Sequence, residues 1–253
     1  MTSAELEKWF NNLLNPGHFA AADPSKNGLQ VDNSGKDINR VAFAVDACFE
    51  TMERAEQAGA GMLFVHHGLF WRDPLCITGS HYKRIKKLLD ADMALYASHL
   101  PLDAHPECGN NSGLVRRLGL ENIELFGEYH GMLIGFRGTL PGPAKLGEIT
   151  SRLFVNGQKP LHVLPFGPET VRTAGIISGG AGEDVVQAIE EGLDLFITGE
   201  ISHEIYHTAL ENRINVIAGG HYQTETVGPG LVAERLGQET GIDTLFIDVP
   251  TGL

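Results

Sequence analysis

His66 and His67 stand side by side after the apolar run Gly61-Met62-Leu63-Phe64-Val65, and Gly68 follows at once to turn the chain. This spacing puts two imidazoles at the mouth of a strand. Neutral imidazole is the commonest protein metal ligand, and open α/β sheets place their sites outside the carboxyl ends of parallel strands. Other predicted strands end in the same manner, so that the strand ends together supply His66, His67, His99, Asp103, Glu200, His221 and Glu225, without a cysteine. Three imidazoles plus two carboxylates, for instance His66, His67, His221, Asp103 and Glu225, exceed the three protein ligands plus water of a simple catalytic zinc site. They suit two ions sharing a bridging carboxylate. Such ions sit about 3.5 to 4 Å apart and hold a bridging water whose pKa falls toward neutrality, which supplies a hydroxide nucleophile. His221 and Glu225 are four residues apart, so one helical turn presents both on one face.

The elements that must carry these groups alternate. Val41–Val45 reads as a strand, Phe49–Gln57 as a helix, Met62–Val65 as a strand, His81–Ala91 as a helix and Ala94–Ala97 as a strand, with Leu114–Leu118 in another helix. From Glu128 the character changes: His130–Arg137 reads as a strand, Pro141-Gly142-Pro143 punctuates it, Leu146–Phe154 is helical, and Leu161–Leu164 and Val171–Ile177 are further strands. After Ser178-Gly179-Gly180 the alternation resumes through Val185–Glu191, Leu195–Thr198, Glu204–Glu211, Val216–Ala218, Leu231–Leu236 and Thr244–Val249. Alternation of this kind predicts right-handed crossovers and a parallel or mixed sheet. At the amino end, Thr2 and Glu5 form a capping box for a helix with Leu6, Trp9, Phe10, Leu13 and Leu14 at its apolar positions.

The two halves echo one another. Glu56 to His67 can be laid against Glu190 to Glu200, each a helix end, a glycine, a short strand and a polar terminus; Ala94 to His99 leads to Asp103 as Val216 to His221 leads to Glu225. The expectation is an α/β protein of two related halves, residues 1–126 with His66, His67 and Asp103 and residues 127–253 with His221 and Glu225, the boundary approximate and open to interleaving, with mixed or parallel sheets flanked by helices and the metal site in the cleft between the halves.

Composition narrows the function classes. The chain has 253 residues, of which 42% are hydrophobic, enough for one large core or two modest ones. No apolar run approaches the roughly 18 residues of a membrane helix and no signal peptide is visible, so the reading is cytoplasmic. Cys48, Cys76 and Cys108 lack any Cys-x-x-Cys spacing, which fits a reducing compartment and leaves a metal to histidine and carboxylate. A net charge of −13 disfavours nonspecific nucleic-acid binding. Lys83, Arg84, Lys86 and Lys87 share the outer face of the His81–Ala91 helix, a pattern that more often marks a solvated surface than a site for anions. The run Gly179-Gly180-Ala181-Gly182 before a helix offers a phosphate cradle or, more commonly, a tight turn. No Gly-x-x-x-x-Gly-Lys-Ser/Thr loop occurs.

Five segments together carry a specific resemblance: Asn27-Gly28-Leu29-Gln30-Val31, Val65 to Trp71, His99-Leu100-Pro101-Leu102-Asp103-Ala104-His105-Pro106, Thr198-Gly199-Glu200 and Ala218 to Glu225. In this order, over essentially the whole chain, they resemble the Nif-three family, in particular its short bacterial YbgI-type members, often labelled GTP cyclohydrolase I type 2 homologues. The resemblance implies a dinuclear metal site on His66, His67, Asp103, His221 and Glu225, two divalent ions per subunit and a homohexameric ring. It also implies site-adjacent roles for His99 and His207, which suit proton transfer or support better than ligation. His221-Tyr222 stands where some relatives pair two histidines. Nitrogen and oxygen donors without thiolate admit zinc, iron, manganese or nickel. The expected function is a metal-dependent hydrolase of a small molecule, a nucleotide such as GTP being the one the family label suggests; the alternative is a metal-binding or metal-delivery protein without turnover. Trp71 and Phe70 are expected to pack near the site, Glu200 to hydrogen-bond a ligating histidine, and His18, His81, His105, His130, His162 and His203 to take no direct part.

Overall fold

The computed structural model describes residues 1–73, 75–155 and 157–253. In chain order its elements are α1 (Ser3–Leu14), α2 (Pro16–Phe19), β1 (Gly28–Val31), β2 (Arg40–Asp46), α3 (Phe49–Gln57), β3 (Met62–His67), α4 (Gly79–Asp90), β4 (Ala94–Ala97), α5 (Leu100–Asp103) and α6 (Asn110–Leu118). They continue with β5 (Glu121–Tyr129), β6 (Met132–Ala144), α7 (Leu146–Leu153), β7 (His162–Pro165), β8 (Val171–Ile176), α8 (Val185–Glu190), β9 (Leu195–Thr198), α9 (His203–Asn212), β10 (Asn215–Ala218), α10 (His221–Glu225), α11 (Val227–Thr240) and β11 (Asp243–Phe246). The fold is mixed α/β with two sheets. Contacts divide it into two interleaved units, Met1–Leu102 with Gly228–Val249, and Asp103–Val227 with Pro250–Leu253. Asp103 is the first residue of the second unit.

The first unit holds a five-stranded sheet in the order β1-β4-β3-β2-β11. β11, β2, β3 and β4 run parallel, and β1 closes the edge antiparallel. Strands buried on both faces read as continuous apolar runs, which is why β2, β3 and β4 show no alternation. On one face Phe10 from α1 meets Phe43, Phe64 and Tyr96, with Phe64 and Tyr96 stacked at 5.5 Å. On the other, Ala42, Leu63, Val65 and Leu95 pack with Met52, Ile85 and Leu88 of the helices. Each fully buried large side chain of this kind contributes roughly 1.5–3 kcal/mol. The Thr2–Glu5 capping box starts α1, and Asn15, left-handed at φ 47°, stops it before Pro16. Lys86 pairs with Asp90 and Lys87 with Glu56, so these two bases of α4 are matched by acids at the surface.

The second unit holds a six-stranded sheet, β5-β6-β8-β9-β10-β7, parallel only across β8, β9 and β10. The sequence reading needs one correction here. His130 and Gly131, at φ 49° and 81°, form the two-residue turn of a hairpin, so β6 begins at Met132 and not at His130. Its partner β5 escapes a periodicity search because Glu121, Glu124 and Glu128 punctuate an edge strand that is exposed over its first half. Among the described residues no helix is long and apolar enough to cross a membrane.

Candidate metal centre

In the first unit three imidazoles gather at the ends of two neighbouring parallel strands. β3 delivers His66, fully buried, and His67, 19% exposed; β4 leads through Ser98 to His99, also 19% exposed. One nitrogen from each of the three lies within 4.8 Å of the others. The ring centroids of His66 are 4.6 Å from His67 and 5.1 Å from His99. Oxygen atoms hold all three rings through Nδ1: the Ser98 carbonyl holds His66 at 2.9 Å, Asp46 holds His67 at 2.8 Å and Asp23 holds His99 at 2.9 Å. A carbonyl only accepts, so neutral His66 carries its proton on Nδ1 and its lone pair on Nε2, and a carboxylate imposes the same tautomer. Metal-binding histidines are oriented in this way, by an oxygen on the nitrogen away from the ion.

Two loops fix this geometry. After His67 the chain turns at Gly68, where a Cβ would fall 2.5 Å from the Gln30 amide and 2.6 Å from Ala97. Gln30 Oε1 receives Leu69 N–H at 2.7 Å, which explains the glutamine of the Asn27–Val31 segment. The asparagine of that segment receives His99 N–H on Oδ1 at 2.7 Å and donates from Nδ2 to Asp23 at 2.7 Å. Burial alone would raise the Asp23 carboxyl, but hydrogen bonds from His99, Asn27 and Ser25 outweigh it and hold the carboxyl below its ordinary range. Trp71 lies edge-on to His99 at 5.1 Å and donates to the Gly68 carbonyl, consistent with packing beside the imidazoles.

The second unit contributes mainly oxygen donors. Asp103, 6% exposed, accepts hydrogen bonds from Asn110 Nδ2 at 2.8 Å and Ser178 Oγ at 3.0 Å on one oxygen. On α10, one turn brings His221 Nε2 to 3.2 Å from Glu225 Oε1, and the Glu225 side chain is 3% exposed. Gly179, at φ +69°, has the backbone passing so close that a Cβ would stand 2.2 Å from that same oxygen. Glu200 takes the other ring nitrogen, Nδ1, at 2.6 Å. Burial pushes the His221 pKa down, yet Glu225 and Glu200 together outweigh it and raise it to about 9. A proton on His221 thus occupies a position, between imidazole and carboxylate, that suits a cation. Asp103, His221 and Glu225 count with His66, His67 and His99 among the buried and half-buried groups able to hold a metal ion. Sulfur takes no part in these groups, so the donor chemistry fits zinc, iron, manganese or nickel.

The remaining candidates are placed elsewhere. His207 is exposed on α9, its ring beside Tyr206 at 5.3 Å and His203 at 6.3 Å, and it belongs to none of the metal-capable groups of described residues. His105 receives Glu107 N–H and Cys108 N–H on Nδ1, a local loop clamp. The Gly179–Gly182 run leads into a 3₁₀ turn, Gly182–Asp184, beside a cavity of about 440 Å³ in the second unit. Glu183, Asp184 and Glu200 line that cavity with Tyr129, an acidic lining that favours the tight-turn reading over a phosphate cradle. Asp23 and Asp46 went unselected in the sequence reading, and their partners lie too far away in the chain for spacing to reveal them; Gly179 was selected only as part of a turn, not for its approach to Glu225.

Two sheets flanked by helices, with histidines and carboxylates that could hold a metal ion, define the class: a mixed α/β protein with candidate nitrogen and oxygen donors. The profile described as Duf34/NIF3 (NGG1p interacting factor 3) matches residues 1–252. The chain belongs to this family. It is 47% identical to a Treponema pallidum protein named GTP cyclohydrolase 1 type 2 homolog, with both chains covered over 100% of their length. Among solved structures it resembles TTHA1606 from Thermus thermophilus, at TM-score 0.91 and 37% identity, and the protein ybgI, of unknown function, at TM-score 0.90 and 36% identity; each comparison covers 100% of both chains.

Proposed function

We propose that this chain is a dinuclear-metal-dependent hydrolase in which His66, His67, Asp103, His221 and Glu225 hold two divalent ions per subunit. The observation that carries this reading is the orientation of the donors: His66, His67 and His221 are all held through Nδ1 by an oxygen. When bound, such ions polarise a substrate oxygen and lower the pKa of water. The residues of the chain do the rest. Ser98 and Asp46 fix the ring planes of His66 and His67, Asn110 and Ser178 fix the Asp103 carboxylate, and Glu200 fixes His221.

His99 and His207 are the proposed proton-handling groups. His99 is the better placed, since its ring packs beside His66 and His67, whereas His207 is exposed on α9. The name shared by the curated relatives supports a small-molecule substrate of the nucleotide class, GTP or a relative of it. Family membership supports a closed homohexameric ring, which light scattering at low micromolar concentration tests; a stable monomer would remove that assembly.

The decisive experiment couples elemental analysis of protein purified without chelators to a screen of nucleotides, phosphoesters and amides. Turnover that rises with metal occupancy is expected. Stoichiometric metal without turnover of any class would replace the hydrolase by a metal-binding or metal-delivery protein.

A further inference from the structure

Asp23 is a carboxylate with no exposed side-chain surface, placed beside an imidazole that the hydrolase reading uses. Four donors converge on its two oxygens. Oδ1 receives Ser25 N–H at 2.8 Å and faces His99 Nδ1 at 2.9 Å; Oδ2 receives Asn27 Nδ2 at 2.7 Å and Leu100 N–H at 2.9 Å. Two of these donors are backbone amides, which cannot reverse their polarity. Asn27 cannot turn its amide either without giving up the His99 N–H that its own oxygen accepts. The only adaptable member of the cluster is therefore the His99 ring, whose Nδ1 either donates or accepts according to tautomer.

We propose that Asp23 is the positioning residue of His99, holding it as the Nδ1–H tautomer so that Nε2 is the nitrogen available to take up a proton beside His66 and His67. The role of Nε2 rests on the reading of His99 as a proton-handling group; the tautomer does not. Several features agree. Asp23 precedes Pro24, which disfavours helix at that position, and its bond to Ser25 N–H is an Asx-type turn that fixes the carboxylate from its own side of the chain. The Leu100 amide and the Asn27 bond to His99 N–H tie the same carboxylate to both sides of the histidine backbone. A group needed only to fill space at this position has no use for four donors and a negative charge.

The same donor count predicts what Asp23→Asn does. An amide offers one oxygen. Placed at the Oδ1 position, that oxygen leaves Leu100 N–H and Asn27 Nδ2 facing an NH₂ group; placed at Oδ2, it leaves only Ser25 N–H unsatisfied, because His99 can turn acceptor. The second arrangement strands fewer buried donors. Asp23→Asn should therefore switch His99 to the Nε2–H tautomer.

The test is nitrogen-15 NMR of histidine-labelled, zinc-loaded protein, with the His99 signals assigned by their absence in His99→Gln. Wild-type His99 is expected protonated on Nδ1, and Asp23→Asn is expected to move the proton to Nε2 while elemental analysis shows unchanged zinc. An Nε2–H signal in the wild type overturns the inference without recourse to a variant, and so does an unchanged tautomer in Asp23→Asn. Once a substrate is in hand, His99→Gln separates the two readings. Full activity in that variant would end the proton-handling role of His99, whereas the spectra decide independently whether Asp23 sets its tautomer.

Discussion

His67 and His221 each lean on a carboxylate through Nδ1, but their other nitrogens meet different surroundings. In the first unit the imidazoles cluster with one another, and each carries an oxygen on Nδ1: a carbonyl for His66, carboxylates for His67 and His99. In the second unit His221 has a carboxylate at both nitrogens, Glu200 at 2.6 Å and Glu225 at 3.2 Å, and its pKa stands at about 9. The first arrangement presents lone pairs by tautomer. The second stores a proton on His221, so on the proposed reading metal uptake there would expel that proton. If both regions hold metal as proposed, orientation of neutral donors and exchange of cation for proton are two different preparations for binding within one chain.

The largest effects should come from removing donors on either side. Elemental analysis of the wild type is expected to give two ions per subunit, and His66→Ala or His221→Ala should each lose at least one while circular dichroism stays native. A wild-type ratio near one, or unchanged ratios in both variants, would break the dinuclear reading. Asp103→Asn and Glu225→Gln preserve size and remove charge, so both should weaken binding, because a divalent ion needs anionic donors to offset its own charge.

Next in size is the rate. His99→Gln should retain both ions and reduce turnover by about 10²- to 10⁴-fold if His99 serves as general acid or base. His207→Gln, on the exposed face of α9, is expected to cost less. Loss of metal in His99→Gln would move His99 among the ligands.

Replacing the orienting carboxylates sharpens the comparison between the units. Asp46→Asn and Glu200→Gln should each weaken metal binding by about 10- to 100-fold. Their pH dependence should differ. Without Glu200 the pKa of His221 falls, so metal uptake by Glu200→Gln should extend to lower pH than in the wild type, whereas Asp46→Asn leaves the His221 proton in place. Parallel pH profiles of the two variants, followed by calorimetry, would show that proton exchange at His221 does not govern uptake.

The smallest effect concerns the metal-free protein. His221 has its pKa raised from 6.5 to about 9 in the folded state, so its ion pairs stabilise the fold fully below about 6.5, and that contribution fades as pH rises through 9. The difference in melting temperature between metal-free wild type and His221→Gln should therefore be largest near pH 6 and shrink by pH 10. A difference independent of pH would mean that the pairs carry no net charge interaction.

Much of the candidate donor set was legible in the chain because strand ends are marked by a change in pattern. Continuous apolar runs such as Met62–Val65 and Val216–Ala218 can be buried on both faces, and the first polar residues after them must emerge at the rim of a sheet. His221 and Glu225 were legible from their four-residue spacing, which a single turn of helix converts into proximity. The β5–β6 hairpin was less legible, since an exposed edge strand need not alternate and His130 with positive φ looks, in sequence, like any strand residue. Of the groups that orient the donors, Glu200 was legible from its place after a strand, and it does hold His221, whereas Asp23 and Asp46 could not be read. Asp23 reaches His99 across 76 residues, and Asp46 reaches His67 only because β2 and β3 pair in a register that sets Asp46 opposite His67. Gly179 matters because a turn brings its backbone against Glu225. The sequence by itself determined which side chains are candidates to donate to a metal and that they follow the ends of strands, because local pattern dictates burial and burial dictates where a strand stops. The tertiary structure alone decided which nitrogen of each imidazole bears the lone pair and where His221 keeps its proton, because tautomer and charge are set by hydrogen-bond partners that only folding brings within 3 Å or so.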